Sequence, residues 1–508
     1  MGRVRLYTHL VVILCILSFQ AFAQIGSATI TGTVTDPTGA AVAGVKVVIV
    51  ETSMNFESRS VTNADGLYRV QSLQPGTYDV SFESSGFKRL VQHGILLKVG
   101  DTLPVNATLQ LGQLTEQVQV TGQGELLETE TSSTSTVTEG ETLYKMPLYQ
   151  RYVLNTLNLN PGVTMNGYAY GGSLGGFNVA GQRSTGTTVF EDGVFGNDPI
   201  LSTGTDIKPI ENSVEEVQVV TGTLPAEYGH TTGGVVTVAK KSGTNDFHGT
   251  ASDLGRTRNM THRQFFNAFR TSDPQPGAPD GVPAWFMQLD ASLSGPISIP
   301  KVYSGKNRTF FFFGYQKLIE KKSAAFTSQT PTPDLLNGDF TFGGAGQPLY
   351  DPATTRKLPD ATWTRDLLPG RLIPVSRMDP VYTKLLSFHP WIGPNSPGSL
   401  TTTGPVSNYT WASKSRTFFT DYSGRVDHQF NSDLKAYGSY TYNYQSGLQR
   451  PTSIAVPDFD GANGFNAPFT QQNASAGITK LFGPTAVFAT SSCDPCRVST
   501  IPNCSLKW

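Results

Sequence analysis

Hydrophobic and polar residues alternate with a period of two along most of this chain, and the lengths of the alternating runs divide it into regions. Ile30, Gly32 and Val34 alternate with Thr31, Thr33 and Thr35 ahead of a turn at Asp36, Pro37, Thr38 and Gly39. Val45 to Val50 is β-branched, Tyr78, Val80 and Phe82 alternate with Asp79, Ser81 and Glu83, and Leu103, Val105, Ala107, Leu109 and Leu111 continue the pattern. Asn63 to Gly66 and Gln74 to Gly76 supply turn residues between them. Successive strand residues face opposite sides, so six or seven short strands in roughly 85 residues predict a β-sandwich with one buried face per sheet.

From about Asn245 to Thr490 the runs lengthen. Met287, Leu289, Ala291 and Leu293 alternate with Gln288, Asp290, Ser292 and Ser294. Phe418, Tyr422, Val426 and Phe430 alternate with Phe419, Asp421, Ser423, Arg425, Asp427 and Gln429, and Leu434, Ala436, Tyr440, Tyr442 and Tyr444 with Lys435, Ser439, Thr441 and Asn443. Runs of roughly 8 to 13 residues suit tilted membrane strands, and one parity carries the ions. Strands are expected near 247–256, 286–297, 309–319, 416–430, 434–444 and 471–481. The intervening spans then run long, short, very long, short, long, as in barrels with long external loops and short periplasmic turns. The 320–415 loop is a candidate for external substrate contact, an inert shield being the alternative. Phe310 to Phe313 and Tyr315 fit an aromatic girdle, although a buried soluble strand reads the same.

Composition narrows the class. Charged residues are 15% of the 508, below the roughly 25% of soluble domains, while Gly numbers 52 and aromatics reach 10%. The net charge of −1 points to no nucleic-acid partner. Arg3 and Arg5, the apolar run Leu10 to Leu17, and Ala21, Phe22 and Ala23 form a signal peptide over 1–23, implying export. Nothing later approaches a membrane helix, so insertion requires a barrel. Beyond that leader only Cys493, Cys496 and Cys504 remain, with no second pair or histidine nearby, so no metal site and no cofactor is expected.

Several blocks of residues carry family resemblances. Gly32, Val34, Asp36 and Gly39, then Asp65, Gly66 and Tyr68, then Leu73, Pro75, Gly76 and Tyr78 resemble the carboxypeptidase regulatory-like domain. The resemblance implies a transthyretin-like, non-catalytic sandwich over 24–112. No histidine sits in a His-x-x-Glu arrangement, so no zinc peptidase accompanies it. Across the linker 113–140, Glu116, Val118, Val120 and Thr121 resemble a TonB box, and are equally readable as the last strand of the preceding domain. Met146, Pro147, Leu148 and Arg151, then Pro161 to Val163, Val179 to Arg183, Val189 to Val194, Val214 to Val219, Pro225 to Gly229 and Gly233 to Val238 before Lys240 to Gly243 resemble, in order, the plug of TonB-dependent receptors. That assigns an α+β plug to 141–244 and the N-terminal part of an outer-membrane barrel to 245–490. Asp192 and Gly193 form a hairpin turn by their chemistry alone. Arg183, Glu191 and Asp192 are ligand-contact candidates, with internal salt bridges as the plainer alternative.

The whole resembles the Oar-like branch of TonB-dependent receptors: mainly β, with sandwich, plug and an incomplete antiparallel transmembrane barrel. The resemblance implies an outer-membrane transporter, not an enzyme. Its partners are the periplasmic TonB domain, outer-membrane lipid and a small extracellular ligand, with carbohydrate, peptide, siderophore and cobalamin all open. The regulatory-like domain is expected in the periplasm. A barrel around a plug needs about 22 strands, and the tail 491–508 loses alternation, so the expectation is a truncated, transport-defective copy. A non-transporting surface or carbohydrate-binding adhesion protein is the rival. A secreted hydrolase lacks a Gly-x-Ser-x-Gly or any local acid–base set, so no catalytic residue is assigned.

Overall fold

The alternating segments at the N-terminus pair into two sheets. The computed structural model describes residues 27–113, 117–121, 133–146, 152–166, 176–197, 208–224, 228–229, 231–257, 260, 280–341, 348–388, 393–395, 399–401, 404–406, 408–449, 465–466, 468–482 and 486–498; the expected signal peptide over 1–23 lies outside them. One sheet orders Glu57–Val61, Lys46–Glu51, Gly76–Glu83, Arg89–Leu97 and Gln117–Thr121. The other sets Ala28–Thr35 between Leu67–Leu73 and Thr102–Pro104, with Ala107–Thr108 also on the first strand. Ile30, Val34, Val47, Ile49, Val80, Phe82, Leu97 and Leu109 are fully buried between them, which makes apolar burial the main stabilising term.

The motif glycines and acids of this sandwich shape its backbone. A β-carbon on Gly32 would lie 2.1 Å from the Val105 carbonyl oxygen, which also accepts from the Tyr68 hydroxyl at 2.7 Å. The Asp36 carboxylate accepts from the Thr38 and Ala40 amides, and those bonds with the Thr38 hydroxyl hold it below the ordinary range. Asn63 fastens the next turn by accepting from the amides of Asp65 and Leu67.

The middle domain is a mixed five-stranded sheet in the order Thr134–Glu139, Val214–Thr221, Gly234–Lys240, Thr187–Glu191 and Val194–Phe195. Thr187–Glu191 and Gly234–Lys240 run parallel; their neighbours are antiparallel. A short helix, Gly140–Lys145, and the 3-10 helix Val153–Leu159 bury Leu143, Val153, Leu154 and Leu157 against Val217, Val219, Val236 and Val238. Asp192 and Gly193 both take positive φ, 48° and 81°, joining paired Glu191 and Val194. That is the primed two-residue turn expected of Asp-Gly, matching the twist of its strands.

The third region is one open antiparallel sheet. Its strands His248–Thr257, Asp280–Pro296, Thr309–Ser328, Tyr409–Asn431, Leu434–Gln449, Phe469–Phe482 and Ala486–Val498 lie in sequence order, and Phe465–Asn466 adds to the fifth. Gln288 and Asp290 are buried on one face while Leu289 and Leu293 are exposed on the other. Asp421, Ser423, Arg425, Asp427 and Gln429 are likewise buried, with Tyr422, Val426 and Phe430 exposed. The connections alternate long and short, with 258–279, 329–408 and 450–468 at one end and 297–308, 432–433 and 483–485 at the other.

One expectation needs correction. The strands run further than alternation indicated, Thr309–Ser328 beyond 319 and Leu434–Gln449 beyond 444. Past those points the sequence no longer alternates apolar with polar residues, as in Ser323 to Ala325 and Gln445 to Gly447, while the hydrogen-bonded ladder continues. Ala486–Val498 pairs along its length with Phe469–Phe482, placing Cys493, Asp494, Pro495 and Cys496 opposite Ser475, Ala474, Asn473 and Gln472. Pro495 lacks an amide proton, which an edge strand tolerates.

Candidate functional site

A charged turn of the middle domain meets buried ions of the sheet where that domain enters it. The Asp192–Gly193 turn projects onto the buried parity of the wall, and Lys240 closes the adjoining strand. Arg425 donates through Nη1 to Asp192 Oδ1 at 2.9 Å and through Nε and Nη2 to both oxygens of Asp427 at 2.9 and 3.0 Å. Lys240 Nζ donates to Thr441 at 2.8 Å and lies 3.4 Å from Glu191 and 3.9 Å from Asp192. Asn473 donates to the second Glu191 oxygen at 2.8 Å, and the Tyr437 hydroxyl to the Asp192 carbonyl at 3.0 Å. The lysine and arginine side chains are at most 7% exposed. Burial pushes the Glu191 carboxyl above its ordinary range, with Lys240 opposing the shift. Buried ions of this kind persist when each has partners, and removing one strands the others.

The sandwich closes the same junction from the short-turn end of the sheet. Gln74 donates to Asp427 at 2.9 Å, beside Ser242 at 2.6 Å. Gln429 bridges to the Glu57 carbonyl at 2.7 Å, Lys435 donates to Ser58 at 2.8 Å, and the Asn245 amide donates to the Ser53 carbonyl at 3.0 Å. Asn307 accepts from both Asn55 and Asn245, at 2.9 and 2.8 Å. Phe56 packs on Phe310 with ring centroids 5.4 Å apart. A cavity of about 360 Å³ remains among the three parts, lined in part by Glu51, Tyr78, Glu215, Lys240, Arg425 and Lys435. On the middle domain, Glu216 accepts from the Val99 amide at 2.7 Å, and burial pushes its carboxyl up to about 7.

The residues singled out from sequence fall in three places. Glu191 and Asp192 are together in the buried network, held by Lys240 and Arg425. Arg183 is exposed at the N-terminal edge of the 3-10 turn Ser184–Gly186. Val118, Val120 and Thr121 lie on Gln117–Thr121, which pairs in parallel with Arg89–Leu97; Glu116 is outside the described residues. Sequence reading did not assign a role to Lys240, Arg425 or Asp427. The signal for the last two was present, since ions on one parity of a membrane-type strand face its interior.

In the loop 329–408, Asp351 accepts hydrogen bonds from the two terminal guanidinium nitrogens of Arg377 at 2.6 and 2.7 Å, which pulls its carboxyl down to about 2. Trp363, Val375, Val381 and Phe388 are exposed on that loop.

Comparison with known proteins agrees with this division. Residues 29–110 match the carboxypeptidase regulatory-like domain, 128–236 the TonB-dependent receptor plug domain, and 239–491 an outer membrane beta barrel domain. The TonB-dependent transporter Oar of Myxococcus xanthus is 30% identical over 239 residues, covering 45% of this chain and 22% of its own. Among solved structures, the ferric enterobactin receptor of Pseudomonas aeruginosa in complex with enterobactin aligns at 11% identity and a TM-score of 0.37, over 70% of this chain and 40% of that one. The outer membrane transporter YddB of Escherichia coli aligns at 10% and 0.38, over 68% and 37%. The chain thus spans well under half the length of these relatives.

Proposed function

Because the chain belongs to the TonB-dependent outer-membrane receptors, we propose that it serves energised uptake of a small extracellular ligand, with no covalent chemistry. The ligand docks at the long-loop end, where 329–408 carries exposed aromatic and apolar side chains, and at the exposed plug residue Arg183. TonB engages the Glu116, Val118, Val120 and Thr121 segment from the periplasm by strand addition. The pull is transmitted to the plug, whose hold on the wall is the pairing of Glu191 and Asp192 with Lys240 and Arg425.

The observation that carries this reading is a wall of alternating strands with ions and amides toward the plug and Leu, Tyr, Val and Phe away from it. A lipid-facing exterior and a wet interior require that division. The sandwich is assigned to the periplasm because it docks at the short-turn end, through Asn307, Gln429 and Lys435. The test is capture of the periplasmic TonB domain by the full chain in detergent, together with fractionation of cells. Outer-membrane recovery and capture that is lost in Val118→Pro support the proposal. Outer-membrane recovery without capture favours a non-transporting adhesion or carbohydrate-binding role, and full solubility without detergent overturns both.

A further inference from the structure

The segment Gln117–Thr121 is held as the fifth strand, at the edge, of one sheet of the sandwich. It lies at the sheet edge with Leu90 opposite Val118, Val91 opposite Gln119 and Gln92 opposite Val120. The chain reaches that position from the last sandwich residues, where the Lys88 amide donates to the Gln110 carbonyl at 2.8 Å and the Gly112 amide to the Gly86 carbonyl at 3.1 Å. Val118 packs against the sandwich core, whereas Val120 is 44% exposed. The inner flank of this strand is therefore occupied by Arg89–Leu97, and Val118 is turned into the domain that holds it.

We propose that the sandwich is the keeper of its own TonB-contact strand: Gln117–Thr121 must leave the edge of Arg89–Leu97 before a TonB sheet takes it. The inference rests on the TonB reading of that segment and specifies what competes with TonB. Three features make the strand the one to leave. It is an edge, so departure opens no other pairing in the sheet. Its pairing is parallel, slightly weaker per residue than antiparallel pairing. Among the described side chains of the segment, only Val118 packs against the apolar core. The connection from Gly112 to Ser133 spans at most roughly 75 Å when extended, so the freed strand stays tethered to both sandwich and plug.

A disulfide lock tests this. Val91→Cys and Gln119→Cys are introduced together in the full chain, with Cys493, Cys496 and Cys504 replaced by Ser. Gln119 sits between the two valines of the TonB-box resemblance, so neither is altered. Capture of the periplasmic TonB domain is measured for the oxidised and reduced forms in detergent. The proposal expects the cross-link to form, at least a tenfold loss of affinity when oxidised, and native affinity on reduction. That recovery separates locking from misfolding. Equal capture by both forms overturns it, because TonB would then be adding to the free outer edge of a docked strand. Failure of the cross-link to form also overturns it. If the native chain itself captures no TonB, the functional reading fails and the inference with it.

Discussion

Arg425 of the wall and Asp192 of the plug are 233 positions apart in sequence and 2.9 Å apart in space. The other side of the same guanidinium holds Asp427, which in turn accepts from Gln74 of the sandwich. One cation thus sits where all three parts of the chain converge.

Arg425→Met leaves Asp192 and Asp427 buried without that cation. Losing one partner of a buried ionic set costs about 3–5 kcal/mol. Denaturant unfolding in detergent should show a loss of that size, with part of it returned by adding Asp427→Asn. A loss under about 1 kcal/mol contradicts the assigned network.

Glu216 gives a pH dependence. Its carboxyl titrates near 7 when folded, against an ordinary 4.5, because burial disfavours the charged form. Between those values the folded chain keeps a proton that the unfolded chain has released, so stability falls as pH rises through the window. The penalty is complete above about 7 and absent below about 4.5. Glu216→Gln should therefore be the more stable form at pH 8, by on the order of 3 kcal/mol at most, and should match the native chain at pH 4. Melting curves at both pH values decide it; an unchanged difference across the range counts against the assignment.

Gly243 closes the passage from plug to wall. A β-carbon there would stand 2.4 Å from the Phe311 carbonyl oxygen and 2.9 Å from that of Gly295. Both obstacles are backbone, so Gly243→Ala must displace strands, costing about 1–3 kcal/mol. Limited proteolysis should cut the Ser242–Asn245 connection faster in the variant than in the native chain.

Leu289 tests the lipid face. It is 37% exposed between buried Gln288 and Asp290. Leu289→Arg should destabilise the chain in phospholipid bilayers by about 2–4 kcal/mol if the site lies near mid-bilayer. Urea titration in bilayers reads this directly. A neutral result would mean that this face meets water.

Much of the architecture was legible because two solvents imprint a period of two. Tyr422 and Val426 on one parity and Asp421 and Arg425 on the other show the wall without any fold knowledge, and Asp192 with Gly193 shows its turn. Strand ends such as Ser323 to Ser328 were not legible, since Ala324 and Ala325 break the alternation while the backbone ladder runs on. Nor was the strand through Cys493 and Cys496, which joins the sheet through its backbone ladder. The candidate site was half legible. Local chemistry marks Glu191 and Asp192, but nothing local says that Arg425 and Lys240 are their partners, because contacts between separately folded segments leave no periodicity. The segment holding Val118 and Val120 reads as a strand either way, and only pairing with Arg89–Leu97 shows where it rests.

The Asn307 amide adds a mechanical consequence. Its oxygen accepts from Asn55 of the sandwich and from Asn245 at the plug exit, and its backbone amide donates to Asn245 at 2.8 Å. One short hairpin of the wall is thus fastened both to the sandwich and to the strand that leaves the plug, beside the buried ionic hold of Glu191 and Asp192. This second fastening uses neutral amides, so added salt, which screens charges, leaves it in place.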